Sequence, residues 1–157
     1  MEESVEQSEQ PPPASVTVHG DVPVDYNWLE EHVVASLVFL GKENSTISVQ
    51  VVDDATMTTL HARHSGSEVT TDVLTFDNGS SEHSINADIA VCSDVAQREA
   101  QRRDHPLQEE LLLYILHGML HCCGFDDSDD ATHKKMHAEE DRILASIGVG
   151  SVWSSDP

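Results

Sequence analysis

Apolar residues recur along this chain at two periods, and the switches between them mark out its elements. Leu29, Val33, Leu37 and Leu40 repeat at helical spacing. Asp25 is placed to cap that helix and Gly41 to stop it. Ile47, Val49 and Val51 alternate instead, so Thr46 to Val52 reads as a strand. Val16-Thr17-Val18 reads as a shorter first strand. Asp53 or Asp54 begins a short helix that runs to about His64 and is broken by Gly66. Asp72 to Phe76 and Asp88 to Cys92 read as two further strands, with the polar loop Asp77-Asn78-Gly79-Ser80-Ser81 after the first of them. Alternation in the last strand is weak, as expected of a strand covered on both faces. Ser93 or Asp94 should cap a helix to about Arg103. Pro106 suits the first turn of a long apolar helix ending near Cys123. Asp129 or Asp130 opens a final helix, from Ala131 to about Ile147, ended by Gly148. This order predicts an α/β (mixed α+β) domain over residues 14–150: a small mixed four-stranded sheet packed with about five helices, the apolar helix central.

Composition narrows the picture. The chain has 157 residues and 38% hydrophobic content, which suits one domain with one core. Residues 1–13 are acidic and proline-rich and are expected to be a disordered tail. Residues 151–157 are expected to form a short tail. No apolar run approaches the ~20 residues that span a membrane, and the N-terminus is not basic then apolar as a secretory signal is. A cytoplasmic protein with no membrane partner is the expectation. The formal net charge is -21, with only 8 Lys and Arg. That excludes a broad nucleic-acid surface, which needs basic groups to neutralise phosphates. Arg98, Arg102 and Arg103 cluster, as do Lys134, Lys135 and Arg142, so a local groove is allowed. Trp28 reads as a core residue.

The candidate chemistry lies at the end of the apolar helix. His117 and His121 sit at i and i+4, on one helix face, where two imidazoles can share an ion. Gly124 tolerates the left-handed backbone that ends many helices. A short reversal then brings Asp127 back as a third ligand, giving H-x3-H-x2-G-x2-D. Three protein ligands with one open position suit a catalytic metal, whereas structural zinc usually takes four. Cys122 and Cys123 flank the pair and read as small apolar fillers, with metal ligation as the alternative. Asp72 reads as a strand-end or loop carboxylate, and the rest of the Asp126-to-Asp130 run as a solvated loop and helix cap.

The segment from His117 to Asp127 resembles the signature H-G-x-L-H-L-x-G-[YF]-D-H of the YbeY family of bacterial metal-dependent endoribonucleases. Thr71-Asp72-Val73-Leu74-Thr75-Phe76 is similar to that family's T-[DN]-V-L-S-F strand, and Ala87-Asp88-Ile89-Ala90-Val91-Cys92 to its G-D-I-x-I-[SC] strand. Met136 to Leu144 resembles its acidic last helix. The resemblance covers about residues 15–148 in order. It implies a small mixed sheet with helices, one zinc ion per chain at the end of a cleft, and single-strand-specific cleavage of RNA. It also implies work in maturation of ribosomal RNA, at the 3′ end of the small-subunit RNA, and in ribosome quality control, with the ribosome or its proteins as partners. Two positions depart from the pattern. The family's third ligand is histidine where this chain has Asp127; His133 or His137 are the other candidates. An arginine of the family is replaced by Ser65, and Arg63 is the nearest residue to take over its contact with RNA.

The spacing itself points to metal-assisted hydrolysis, in which a bound ion acidifies water and polarises a phosphoryl oxygen. Two other readings share the ligands. A zinc protease of metzincin-like pattern would need Glu directly after the first histidine, where this chain has Gly118. A non-enzymatic ribosome-associated protein would close the site with a fourth ligand, such as Cys123 or His133.

Overall fold

The computed structural model describes residues 14–65 and 71–153. The expected tail at 1–13 and the helix-breaking Gly66 lie outside the described residues. Four strands, β1 (Ser15–His19), β2 (Thr46–Val52), β3 (Val73–Asp77) and β4 (Asn86–Cys92), form one sheet in the order β1-β2-β4-β3. β1, β2 and β4 run parallel, and β3 pairs antiparallel at the β4 edge. Five helices pack with it: α1 (Tyr26–Phe39), α2 (Asp54–Ser65), α3 (Ser93–Arg103), α4 (Leu107–Cys122) and α5 (Asp130–Ser146). The mixed α/β architecture expected from the pattern is the one observed.

The period-2 alternation of β2 puts Ile47, Val49 and Val51 on one face, and all three are buried. α4 lies against that side of the sheet. It touches β3, β4, α1, α3 and α5, which is why it is apolar on nearly every side: Leu111 to Leu116 and Met119-Leu120 are all buried. Met57 of α2, with Leu74, Ala90 and Cys92, forms a smaller cluster. β4 therefore contributes to both clusters, Ile89 and Val91 to one, Ala90 and Cys92 to the other, and its alternation is correspondingly weak.

Caps follow the sequence in part. The Asp25 carboxylate accepts the Trp28 backbone N–H (3.0 Å), and Asp53 accepts that of Thr56 (2.8 Å). Neither Ser93 nor Asp94 caps its own helix. Cys92 holds the cap position of α3, Ser93 Oγ donates to the Val52 carbonyl (3.1 Å), and the Asp94 carboxylate accepts the Asp54 N–H (2.8 Å) at the start of α2. A tertiary contact has taken the side chain that local rules assign to its own helix. Pro106 sits at the cap of α4, one residue before the first turn. Trp28 is half-buried, packed on the edge of the core and stacked on His32 at 4.0 Å between ring centroids, not inside it. β3 starts at Val73; the Asp72 carbonyl accepts the Cys92 N–H (2.9 Å) and its side chain stays exposed. Among the described residues, no helix is long and apolar enough to cross a membrane.

Candidate metal centre

The last turn of α4 closes as the glycine position requires. Gly124 has φ +94°, the Phe125 N–H donates to the Leu120 carbonyl (3.0 Å) and the Gly124 N–H to that of His121 (3.1 Å). This paired ending turns the chain back over the helix end. Asp126 then shapes the loop: its carboxylate accepts the Asp127 N–H (2.8 Å) and the Ser128 hydroxyl (2.6 Å). Asp129 caps α5 through a reciprocal box with Thr132. These local roles leave Asp127 free to turn inward.

His117, His121 and Asp127 converge, and among the described residues they are the one group of three or more such side chains placed to hold a metal ion. His117 Nε2 lies 3.2 Å from His121 Nε2 and 3.2 Å from Asp127 Oδ2, and His121 Nε2 lies 3.9 Å from Asp127 Oδ2. Ligands about 2.0–2.1 Å from a tetrahedral zinc stand roughly 3.3 Å from one another. The donor set and its spacing therefore fit such an ion. Both rings are turned the same way. His117 Nδ1 is 2.7 Å from Glu140 Oε2, and His121 Nδ1 is 3.2 Å from the Phe125 carbonyl. With the proton on each Nδ1, donated to those oxygens, both Nε2 lone pairs face the common point.

Burial alone would lower the pKa of His117. The hydrogen bond and charge of Glu140, with the nearby charges of Asp72 and Asp127, outweigh it and raise the pKa above the ordinary histidine value. The two cysteines stay thiols. Burial, then the Asp77 charge, push Cys122 up to about 11, and burial raises Cys123. Neither is poised to ligate as a thiolate, which fits the filler reading.

Two clefts meet at this point. One, of about 590 Å³, runs from His117 and Asp127 past His133, His137, Arg103 and Trp153. The other, of about 370 Å³, is lined by Thr75, Asp77, His121 and Cys122. Thr71, Asp72, His117 and Asp127 belong to both walls. His133 and His137 thus stand near the centre without joining it; their rings pack on each other at 4.0 Å. Arg63 is exposed on the last turn of α2 and is not among the residues lining either cleft. Arg103 is the arginine in the cleft wall.

Sequence reasoning missed two contributors. Glu140 is wholly buried, and the signal was present: it falls at helical spacing with buried Met136, Ile143 and Leu144. A carboxylate on an apolar face needs a partner, and His117 is that partner. Trp153 gave no signal, because it falls in the stretch expected to be a short tail. Its Nε1–H donates to Glu140 Oε1 (2.7 Å).

Gly118, next to the first histidine, faces the sheet. A Cβ there would stand 2.6 Å from Thr75 Oγ1 and 3.2 Å from Ile89 Cδ1. The position that a protease would give to its glutamate is therefore filled by Thr75 and Ile89 and has no room for one. Gly118→Ala should destabilise the fold by about 1–3 kcal/mol through overpacking. Urea unfolding tests this: the midpoint should fall with unchanged slope, and an unchanged midpoint would mean that Thr75 and Ile89 give way without cost.

Comparison with known proteins agrees with the residues. A sequence model of the family described as Endoribonuclease YbeY matches residues 21–148. The Endoribonuclease YbeY of Heliobacterium modesticaldum is 30% identical over 141 residues, which is 80% of this chain and 85% of that protein. That of Alteromonas mediterranea is 28% identical over 131 residues, 82% of this chain and 83% of its own. That of Thermobifida fusca is 34% identical over 108 residues, 63% and 70% respectively. The solution structure of TM1509 from Thermotoga maritima shares the fold, with a TM-score of 0.58 over 90% of this chain and 93% of that one at 20% identity. A match over residues 21–148, which contain the whole histidine segment, means that this chain belongs to the YbeY endoribonuclease family.

Proposed function

We propose that this chain is a metal-dependent endoribonuclease that cuts single-stranded RNA, with one zinc ion per chain held by His117, His121 and Asp127. The observation that carries the reading is the convergence of three donor atoms, at zinc-ligand spacing, where two clefts meet. A divalent ion there supplies a Lewis acid that polarises a phosphoryl oxygen and acidifies water. The chain's own residues do the rest. Glu140 and the Phe125 carbonyl hold both rings with each Nδ1 engaged and each Nε2 aimed at the common point. Asp127 lowers the net positive charge of the loaded site relative to a three-histidine site. Asp72, at the junction of the two clefts, repels phosphate, so a strand entering there must be oriented by groups further along the cleft wall. Among the described residues no fourth ligand joins the three, which favours an open, catalytic position over a structural one.

Family membership supports the finer assignments: action on ribosomal RNA, at the 3′ end of the small-subunit RNA, a part in ribosome quality control, the ribosome or its proteins as partners, and a cytoplasmic location. Arg63 is proposed to contact RNA from outside the clefts. Cleavage of a single-stranded RNA compared with its duplex tests the reading. Cleavage should be confined to the single strand, stop on chelation and return with zinc. Cleavage that survives complete chelation would exclude it. In the same assay Arg63→Glu should weaken RNA binding at low salt and less at high salt, because phosphate contacts release counterions; equal affinity at both would remove Arg63 from the RNA site.

A further inference from the structure

The segment that follows the family match brings Trp153 into the wall of the cleft beside the metal centre. The match stops at residue 148, and the chain then folds back along α5. The backbone N–H groups of Val152 (2.7 Å) and Trp153 (3.0 Å) both donate to Asp141 Oδ1, and Val152 is buried. The indole ring lies flat on His137, with centroids 3.6 Å apart and planes 6° apart, and the Arg103 guanidinium lies 4.4 Å from its ring centre. So held, its Nε1–H reaches Glu140 Oε1 at 2.7 Å, while Glu140 Oε2 is 2.7 Å from His117 Nδ1.

We propose that Trp153 is a positioning residue for the metal centre, acting through Glu140 on the ligand His117. The inference rests on the proposed ligand set. A buried carboxylate with a single donor can rotate and offer either oxygen to it. Two donors, one on each oxygen, fix its plane. With Trp153 on Oε1, Oε2 is committed to His117 Nδ1–H, which fixes both the tautomer and the ring direction. Without the indole N–H, a buried carboxylate oxygen loses its donor. Glu140 then turns toward His117 or draws in water, and His117 no longer has one orientation. Asp141 and Glu140, adjacent on α5, thus divide the work: one anchors the returning backbone, the other receives its side chain.

Trp153→Phe in the full chain keeps an aromatic ring to stack on His137 and removes the N–H donor. Zinc affinity, read by competition with a chromophoric chelator, should fall by about tenfold, the lower end of the loss seen when an outer-shell partner of a metal ligand is removed. In a Glu140→Gln background the same change should add little, because the residue it acts through is already altered. An unchanged affinity in Trp153→Phe, or the same tenfold loss in both backgrounds, overturns the proposal. A Trp28→Phe chain supplies a second reading that needs no change at the site, since Trp153 is then its sole tryptophan. Its emission should change with zinc, with the midpoint equal to the chelator-derived Kd. A spectrum that is the same without and with saturating zinc overturns the coupling. Wild-type protein that binds no zinc at all overturns the proposed ligand set itself, whereas normal wild-type binding with an unaffected Trp153→Phe overturns this inference alone.

Discussion

His121→Ala should purify with little or no metal and cut no RNA, while keeping its fold. The ring contributes one of three donor atoms, and its side chain is 35% exposed at the end of α4, so little packing is lost with it. Zinc-site free energies of about 10–16 kcal/mol shared among four ligands come to roughly 3 kcal/mol per ligand, or about two decades in affinity. The remaining pair, His117 and Asp127, would bind weakly enough to lose the ion on dialysis. Metal analysis of dialysed wild type and variant, with circular dichroism to confirm the fold, decides the point. Full occupancy in the variant would mean that the ion sits elsewhere. Asp127→Ala should behave alike. If it alone retains metal, His133, in the neighbouring cleft wall, becomes the third ligand to examine.

Metal affinity should also fall steeply as the solution is made acidic, beginning above the pH at which an ordinary histidine titrates. The sign follows from His117. Its pKa in the folded, metal-free protein is raised, against the opposing effect of burial, by Glu140, Asp72 and Asp127. That shift stabilises the metal-free fold fully below the unfolded-state pKa, about 6.5, and the contribution is lost as pH rises through the raised folded value. Ligation needs the neutral ring, so zinc must displace the extra proton. Affinity should drop about tenfold per pH unit for each proton displaced. Glu140→Gln removes the largest cause that raises the pKa, so the onset of the fall should move to lower pH. Chelator competition from about pH 5 to 8, with NMR titration of the His117 ring in the metal-free protein, reads both quantities. Affinity that stays flat down to about pH 6.5 would show that His117 holds its proton no more tightly than a free imidazole.

Local periodicity and the short ligand motif were sufficient for much of this molecule. Alternation in Thr46 to Val52 and helical spacing from Leu29 to Leu40 specify elements because each places its apolar groups on one face, whatever the neighbours are. His117, His121, Gly124 and Asp127 were legible for a similar reason. They lie within one helix end and one turn, where backbone geometry fixes their relative positions almost independently of the rest of the chain. The family resemblance carried by those residues is upheld by the match over residues 21–148.

What depended on distant contacts was not legible. Asp94 caps α2 rather than α3, because the sheet brings the starts of the two helices together. The strand order β1-β2-β4-β3 is a choice among pairings that the strand patterns alone do not rank. Arg103 and Trp153 reach the cleft wall from helix α3 and from beyond α5, and Arg63 does not reach it. The orientation of His117 is set by Glu140, which is 23 residues away in sequence, and Glu140 is held in turn by Trp153. Sequence determined which residues converge as candidate ligands, since their spacing is local. Tertiary structure decided how those atoms are aimed, because the hydrogen bonds that aim them join segments that only the packing of α5 against α4 brings within reach.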